Sequence, residues 1–201
     1  MTDHTNRQTG ALPRPRYYDR RGFTLIEALT VIVIIGLMVG IAIPRSGVST
    51  YRANSGAQVV TSALIYAQRQ AISRQADTRV AFDVANNELR IHEDSTNDNI
   101  INFNERVTAT ALPEGMTFGR GAAPARAMGG ATVNFTRTQG LLPIVVFHRD
   151  GTANENGGVY LTTIDGLSVG RTADVRAVEV TRATGRAVWF SYATGAWKEG
   201  H

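Results

Sequence analysis

Glu27 stands near the start of a run, Phe23–Ile43, that is otherwise almost wholly apolar, with Arg20, Arg21 and Gly22 directly ahead of it. A lone carboxylate in hydrocarbon is costly, so an acid at this position is a functional candidate before any other residue. Other chemistry finds less support. Asp94, Thr96, Asp98 and Glu105 take the first, third, fifth and twelfth positions of an EF-hand-like loop. However, Asn99 replaces the turn glycine and the flanks read as strands, so a solvated loop is the expectation. The stretch His148–Gly151, HRDG, has the form of a kinase catalytic loop, but the later asparagine is displaced and no glycine-rich loop precedes it. There is no cysteine, which excludes disulfides, thiolate metal sites and cysteine nucleophiles. The four histidines show no metal-ligand spacing, and there is no G-x-S-x-G. No catalytic site, cofactor or metal is expected.

The net charge of +4 invites a nucleic-acid reading. Its distribution weakens it: residues 1–22 carry five arginines against Asp3 and Asp19, a net of +3, which leaves +1 for the rest. Arg171, Arg176, Arg182 and Arg186 fall near the C-terminus with Trp189 and Trp197, and arginine with aromatics can hold phosphate and stack bases. Asp174, Glu179 and Glu199 dilute that field.

The elements that would position these residues follow from hydropathy. Residues 1–22 are polar and basic, with Pro13 and Pro15, and read as a leader. The 21 residues Phe23–Ile43 would span about 31 Å as a helix, a bilayer core. The arginines on its N-terminal side should keep that end cytoplasmic. No A-x-A cleavage site follows the apolar run, so it is not an ordinary secretory signal. Instead Pro44 arrives and a helical stripe resumes at Ala53, Ala57, Val60, Leu64, Ala67 and Ala71, the face of a helix packed on a core. Residues 23–76 therefore read as one long N-terminal helix, kinked at Pro44 and roughly 80 Å if continuous.

From residue 77 the period changes to two, which marks strands. Residues 78–94 read as a hairpin turning at Asn86 and Asn87. Further strands are expected at 116–118, 131–136, 143–148, 159–163, 175–181 and 186–192, with irregular loops at 95–104 and 119–130. The expected fold class is α+β: a long helix, one half transmembrane and one half amphipathic, packed on a small antiparallel β domain over 77–201.

The stretch RGFTLIE at Arg21–Glu27 resembles the type IV prepilin signal. Charge, glycine, aromatic and glutamate all fall in register ahead of a membrane-length run. Further along, Ala67-Gln68-Arg69-Gln70-Ala71-Ile72 closes the helix, Phe147, Asp150 and Gly151 form a Phe-x-x-Asp-Gly turn, and Thr184, Gly185 and Arg186 form a closing hairpin. Together these resemble the GspH/FimT family of minor pseudopilins and minor type IV pilins. The resemblance implies a pilin-like fold, no enzymatic activity, and a prepilin peptidase that cuts after Gly22 and methylates Phe23. It also implies assembly with other pseudopilins or pilins from the bacterial inner membrane, with the C-terminal domain in the periplasm.

Within that resemblance, cleavage would create an α-amine on Phe23, cationic at neutral pH with an ordinary pKa of about 8. Glu27 of one subunit could then meet the Phe23 amine of the next and set axial register. The alternative keeps Glu27 at the headgroups, favoured by the positive end of its own helix. Gly36 and Gly40 form a GxxxG spacing, which either lets helices approach or loosens the helix ahead of Pro44. Some relatives bind DNA through a C-terminal Gly-Arg-x-Arg element. Here Gly185-Arg186-Ala187-Val188 lacks the second arginine, which leaves Arg182 and Arg186 as weak candidates. A secretion pseudopilus is the leading reading, and a type IV pilus with or without DNA uptake the alternative.

Overall fold

The small side chains of the stripe decide how the amphipathic helix packs. Ala53, Ala57, Val60, Ala67 and Ala71 are fully buried, and Leu64 nearly so. Gly56 brings the helix closer still, since a Cβ there would sit 2.7 Å from Met116 Cε. The structure, a computed structural model, describes residues 23–42, 46–96, 98, 100 and 102–200. It divides into two compact units, Met1–Pro44 and Arg45–His201.

In the first unit, α1 runs over Leu25–Ala42. The expected kink at Pro44 and the leader 1–22, with the cleavage-site Gly22, lie outside the described residues. In the second unit, α2 spans Ser46–Arg74. It ends where Gln75 turns left-handed (φ 55°), and the Ala76 amide reaches back to the Ala71 carbonyl at 3.3 Å, a Schellman-type stop.

Among the described residues, ten strands follow: β1 (Asp77–Asp83), β2 (Glu88–Asp94), β3 (Val107–Ala111), β4 (Met116–Phe118), β5 (Thr138–Gln139), β6 (Leu142–Phe147), β7 (Gly157–Thr163), β8 (Arg176–Val180), β9 (Ala187–Ala193) and β10 (Ala196–Glu199). A short α3 (Ile164–Ser168) and a 3-10 turn (Thr172–Asp174) lie between β7 and β8. The strands form two antiparallel sheets, in orders β3-β2-β1-β6-β5 and β10-β9-β8-β7-β4. The α2 stripe packs on both, against Val80, Phe82, Leu89 and Ile91 of the first and Val159, Leu161, Val178 and Val180 of the second. The class is α+β.

The β1–β2 hairpin turns at Asn86 and Asn87. Asp83 takes the Asn86 amide at 3.1 Å, and Asn87 is left-handed at φ 52°. Asn87 Oδ1 also accepts from Thr117 Oγ1 (2.9 Å) and the Phe118 amide (3.2 Å), which ties the two sheets together. One expected strand is corrected. Residues 131–136 form no strand beyond an isolated bridge between Val133 and Val159. The Asn134 side chain instead closes a local loop, accepting from the Ala131 amide (3.1 Å) and donating to its carbonyl (2.7 Å). Such local bonding competes with a ladder.

Candidate anchoring and assembly site

The segments that carried the resemblance in the second unit meet at one place. Gln68 Nε2 donates to the Gly151 carbonyl and to the Thr184 carbonyl, each at 2.7 Å. A Cβ at Gly151 would touch Ile72 Cδ1 at 3.0 Å, and one at Gly185 (φ 60°) would overlap the Gly151 carbonyl oxygen. Only glycine fits the second position, because of both its conformation and its neighbour. Helix end, Asp-Gly turn and Thr-Gly-Arg turn are therefore one packed junction, with Gln68 as its clasp.

The arginines near the C-terminus do not form one surface cluster. Arg176 is 1% exposed. Arg171 Nη1 pairs with Asp174 at 2.9 Å, and Arg186 lies 3.5 Å from Glu199. Arg182 is exposed and lines a cavity of about 520 Å³ with His148, Asn154 and Thr181. The aromatics are engaged inside the domain: Trp189 packs on the core, and Trp197 packs on Tyr160 and Tyr192 while its Nε1 donates to the Pro124 carbonyl (3.2 Å).

Asp94, Asp98 and Glu105 do come together, with ligand atoms within 4.8 Å of one another; Asn99 lies outside the described residues. The protein's own donors already occupy these oxygens. Glu105 accepts from the Asn102 amide (3.0 Å), His92 Nε2 (2.9 Å), the Thr96 amide (3.2 Å) and Thr96 Oγ1 (3.0 Å). The Asn102 amide, then His92 and Thr96, hold its carboxyl far below the usual range against the opposing effect of burial. Asp94 pairs with buried Arg79, and Asp98 takes the Ile100 amide at 2.9 Å and Asn102 Nδ2 at 2.7 Å.

Sequence reasoning missed a buried latch at the start of α2. Arg176 Nε donates to Asn54 Oδ1 (2.8 Å), Nη1 to the Ala173 (2.7 Å) and Val175 (2.8 Å) carbonyls, and Nη2 to the Thr50 carbonyl (3.4 Å). Burial pushes its pKa down to about 10, opposed by the nearby Asp174 charge, so it stays cationic at neutral pH. Asp174, itself fully buried, accepts from Ser49 Oγ at 3.0 Å and Thr163 Oγ1 at 2.8 Å. The signal was present: period two puts Arg176 on the same face as Val178 and Val180.

In the first unit, Thr24 opens α1, its carbonyl (3.1 Å) and Oγ1 (3.3 Å) both accepting the Glu27 amide. Glu27 thus sits in the first turn, and its residue is exposed. So are Leu25, Ile26, Leu29, Val31, Ile32, Ile35 and Met38, which face all sides of the helix. A Cβ on Gly36 would meet nothing within 4 Å; Gly40 lies in the same helix. Helix α1 is 18 residues, about 27 Å. Among the described residues, no helix is long and apolar enough to cross a membrane.

Residues 18–43 match the prokaryotic N-terminal methylation motif. The chain carries a prepilin-type N-terminal methylation signal. The matched residues of this signal include Gly22, Phe23 and Glu27, and all of α1. No curated protein matches the chain. Among solved structures, it is similar to the minor pseudopilin EpsH from the Type 2 Secretion System of Vibrio cholerae, with a TM-score of 0.47 and 14% identity over 70% of this chain and 97% of that one.

Proposed function

We propose that the chain is a minor pseudopilin of a type II secretion system, a non-enzymatic subunit built with other pseudopilins into a pilus-like filament. The observation that carries this reading is the methylation signal at 18–43, in register with an acid in the first turn of a helix that is apolar on every side. Such a helix must be covered, by lipid in the free subunit and by neighbouring helices in a filament. A prepilin peptidase cuts between Gly22 and Phe23 at the inner membrane and methylates Phe23. Residues 23–43 then hold the subunit in the membrane, and the domain containing α2 and residues 77–201 lies in the periplasm.

On this reading, Glu27 pairs with the Phe23 amine of an adjacent subunit. An ion pair in a low-dielectric stack penalises any axial slip, because slip leaves a charge uncompensated. Gly36 and Gly40 offer a close-approach face for that stack.

A secretion filament is favoured over a DNA-capturing type IV pilus by the fate of the arginines: Arg176 is buried, Arg171 is paired, and Val188 stands where the second arginine of the DNA element would be. The test of the assembly role is Glu27→Ala in the native host. Cleavage and membrane insertion should persist, since removing the acid eases insertion. Co-purification with the other filament subunits, and secretion, should be lost. Normal assembly of the alanine variant would reject the role given to Glu27.

A further inference from the structure

Large apolar side chains come to the surface at the start of α2 and along α3, with the Leu167 side chain lying beside Gly119 and Gly121. Val48 and Tyr51 lie on the first turns of α2, while Ile164, Leu167 and Val169 lie on and just after α3, and all five are exposed. Val48, Ile164 and Val169 line one recess of about 900 Å³, whose charged residues are Arg52, Glu114, Asp165 and Arg171. This is not a loose loop. Asp174 holds the two elements side by side, accepting from Ser49 on α2 (3.0 Å) and from Thr163 at the start of α3 (2.8 Å). Thr163 Oγ1 also caps α3 by accepting the Gly166 amide at 2.9 Å. The domain thus spends a buried carboxylate on fixing an apolar surface that it leaves open to water.

Two observations identify the occupant. Only residues 43–45 separate this surface from the end of α1 in the sequence, a covalent reach of about 15 Å at most. If α1 lies in lipid, the chain keeps the start of α2 within about 15 Å of the end of that helix. The rim is also balanced in charge, with Arg52 and Arg171 against Glu114 and Asp165, and Tyr51, exposed on the first turns of α2 outside the recess, is a residue type that favours the membrane interface. A rim of both signs matches a headgroup layer that itself carries both signs.

We propose that the face formed by the start of α2 and by α3 docks on the phospholipid surface, with Leu167 and its apolar neighbours seated below the headgroups and the balanced rim among them. This rests on the membrane reading of α1. It would fix the tilt of the free subunit on the membrane before assembly, and it makes docking depend on apolar insertion rather than on anionic lipid.

The absence of cysteine allows single labels in the full-length chain. Leu167→Cys, Ile32→Cys and Ala183→Cys are each labelled with an environment-sensitive fluorophore. Each is reconstituted at low protein density in phosphatidylcholine vesicles carrying shallow or deep quenchers. Ala183 serves as the remote site, on the turn that meets Gln68. The Leu167 label should lose roughly half its fluorescence to shallow quenchers, which report the depth of about 5–10 Å where interfacial apolar faces lie. The Ile32 label should respond to deep quenchers and the Ala183 label to neither. Adding Ile164→Glu and Val169→Glu should return the Leu167 label to water, and enrichment in phosphatidylglycerol should leave its depth unchanged.

An Ile32 label in hydrocarbon with a Leu167 label in water would overturn the docking proposal and leave the anchor standing. An Ile32 label in water would overturn the membrane reading itself. Insertion only with phosphatidylglycerol would refute the balanced rim. Shielding that tracks protein density and ignores the lipid quenchers would assign the face to a second copy of the chain.

Discussion

Replacing Arg176 with methionine removes the guanidinium and keeps an unbranched stem that can fill most of the space. Four acceptors then lose the guanidinium as a donor, Asn54 Oδ1 and the carbonyls of Thr50, Ala173 and Val175, although the Val175 carbonyl keeps the Tyr192 amide at 3.3 Å. One buried polar group left unpaired costs about 1–3 kcal/mol. These acceptors relax together, and the carbonyls retain a second lone pair, so the separate costs do not add. Breaking a buried charged cluster by removing one member costs about 3–5 kcal/mol, which is the figure adopted for Arg176→Met. At roughly 2–4 °C per kcal/mol for a domain of this size, the melting temperature should fall by about 10 °C.

The loss should also be localised. Amides of α2 near Ser49–Asn54 should exchange with solvent faster, while those near Gln68, held at the other junction, should change less. Arg182→Met is the control, since that side chain is exposed and should shift stability by no more than about 0.5 kcal/mol. Thermal melts of both variants in detergent, with hydrogen exchange resolved by peptide, make the comparison. An Arg176→Met melt within about 2 °C of the parent would refute the latch.

The acidic loop should show its own pH signature. Glu105 has a folded pKa far below its ordinary 4.5, so its contribution is fully present above that value and is lost as pH falls through the range beneath it. Acidifying below pH about 4.5 should therefore destabilise the parent more steeply than Glu105→Gln, and parallel stability curves would contradict the assignment. For nucleic acid the outcome should be weak, salt-sensitive binding. A fragment starting at Ser46 should hold duplex DNA poorly near 0.15 M salt, and Arg182→Ala with Arg186→Ala should change little, because few phosphates can be neutralised. Robust binding that the double variant abolishes would move the protein to DNA uptake.

Much of the fold was legible because its signals are local. The alanine-rich stripe of α2 repeats at steps of three and four, and the β1–β2 hairpin alternates around an Asn-Asn turn. What escaped was decided by tertiary partners. β3 and β10 are short edge strands. The strand expected at 131–136 gave way to the self-bonding of Asn134, which hydropathy does not weigh. The arginine cluster failed for a related reason: Arg176 was read as surface from its type, although its place in the alternation pointed inward. The carboxylates of the acidic loop have calcium-like spacing and do converge, yet the donors that hold them come from Asn102, Thr96 and His92 as well as Arg79, and spacing alone cannot show such partners.

Everything proposed for function depends on the N-terminal signal being used. Intact-mass analysis of the protein extracted from its native membrane tests this directly. The mature chain should begin at Phe23 and carry one added methyl group on its amine. A chain that keeps its leader, or one whose N-terminus lies beyond Ile43, would contradict that.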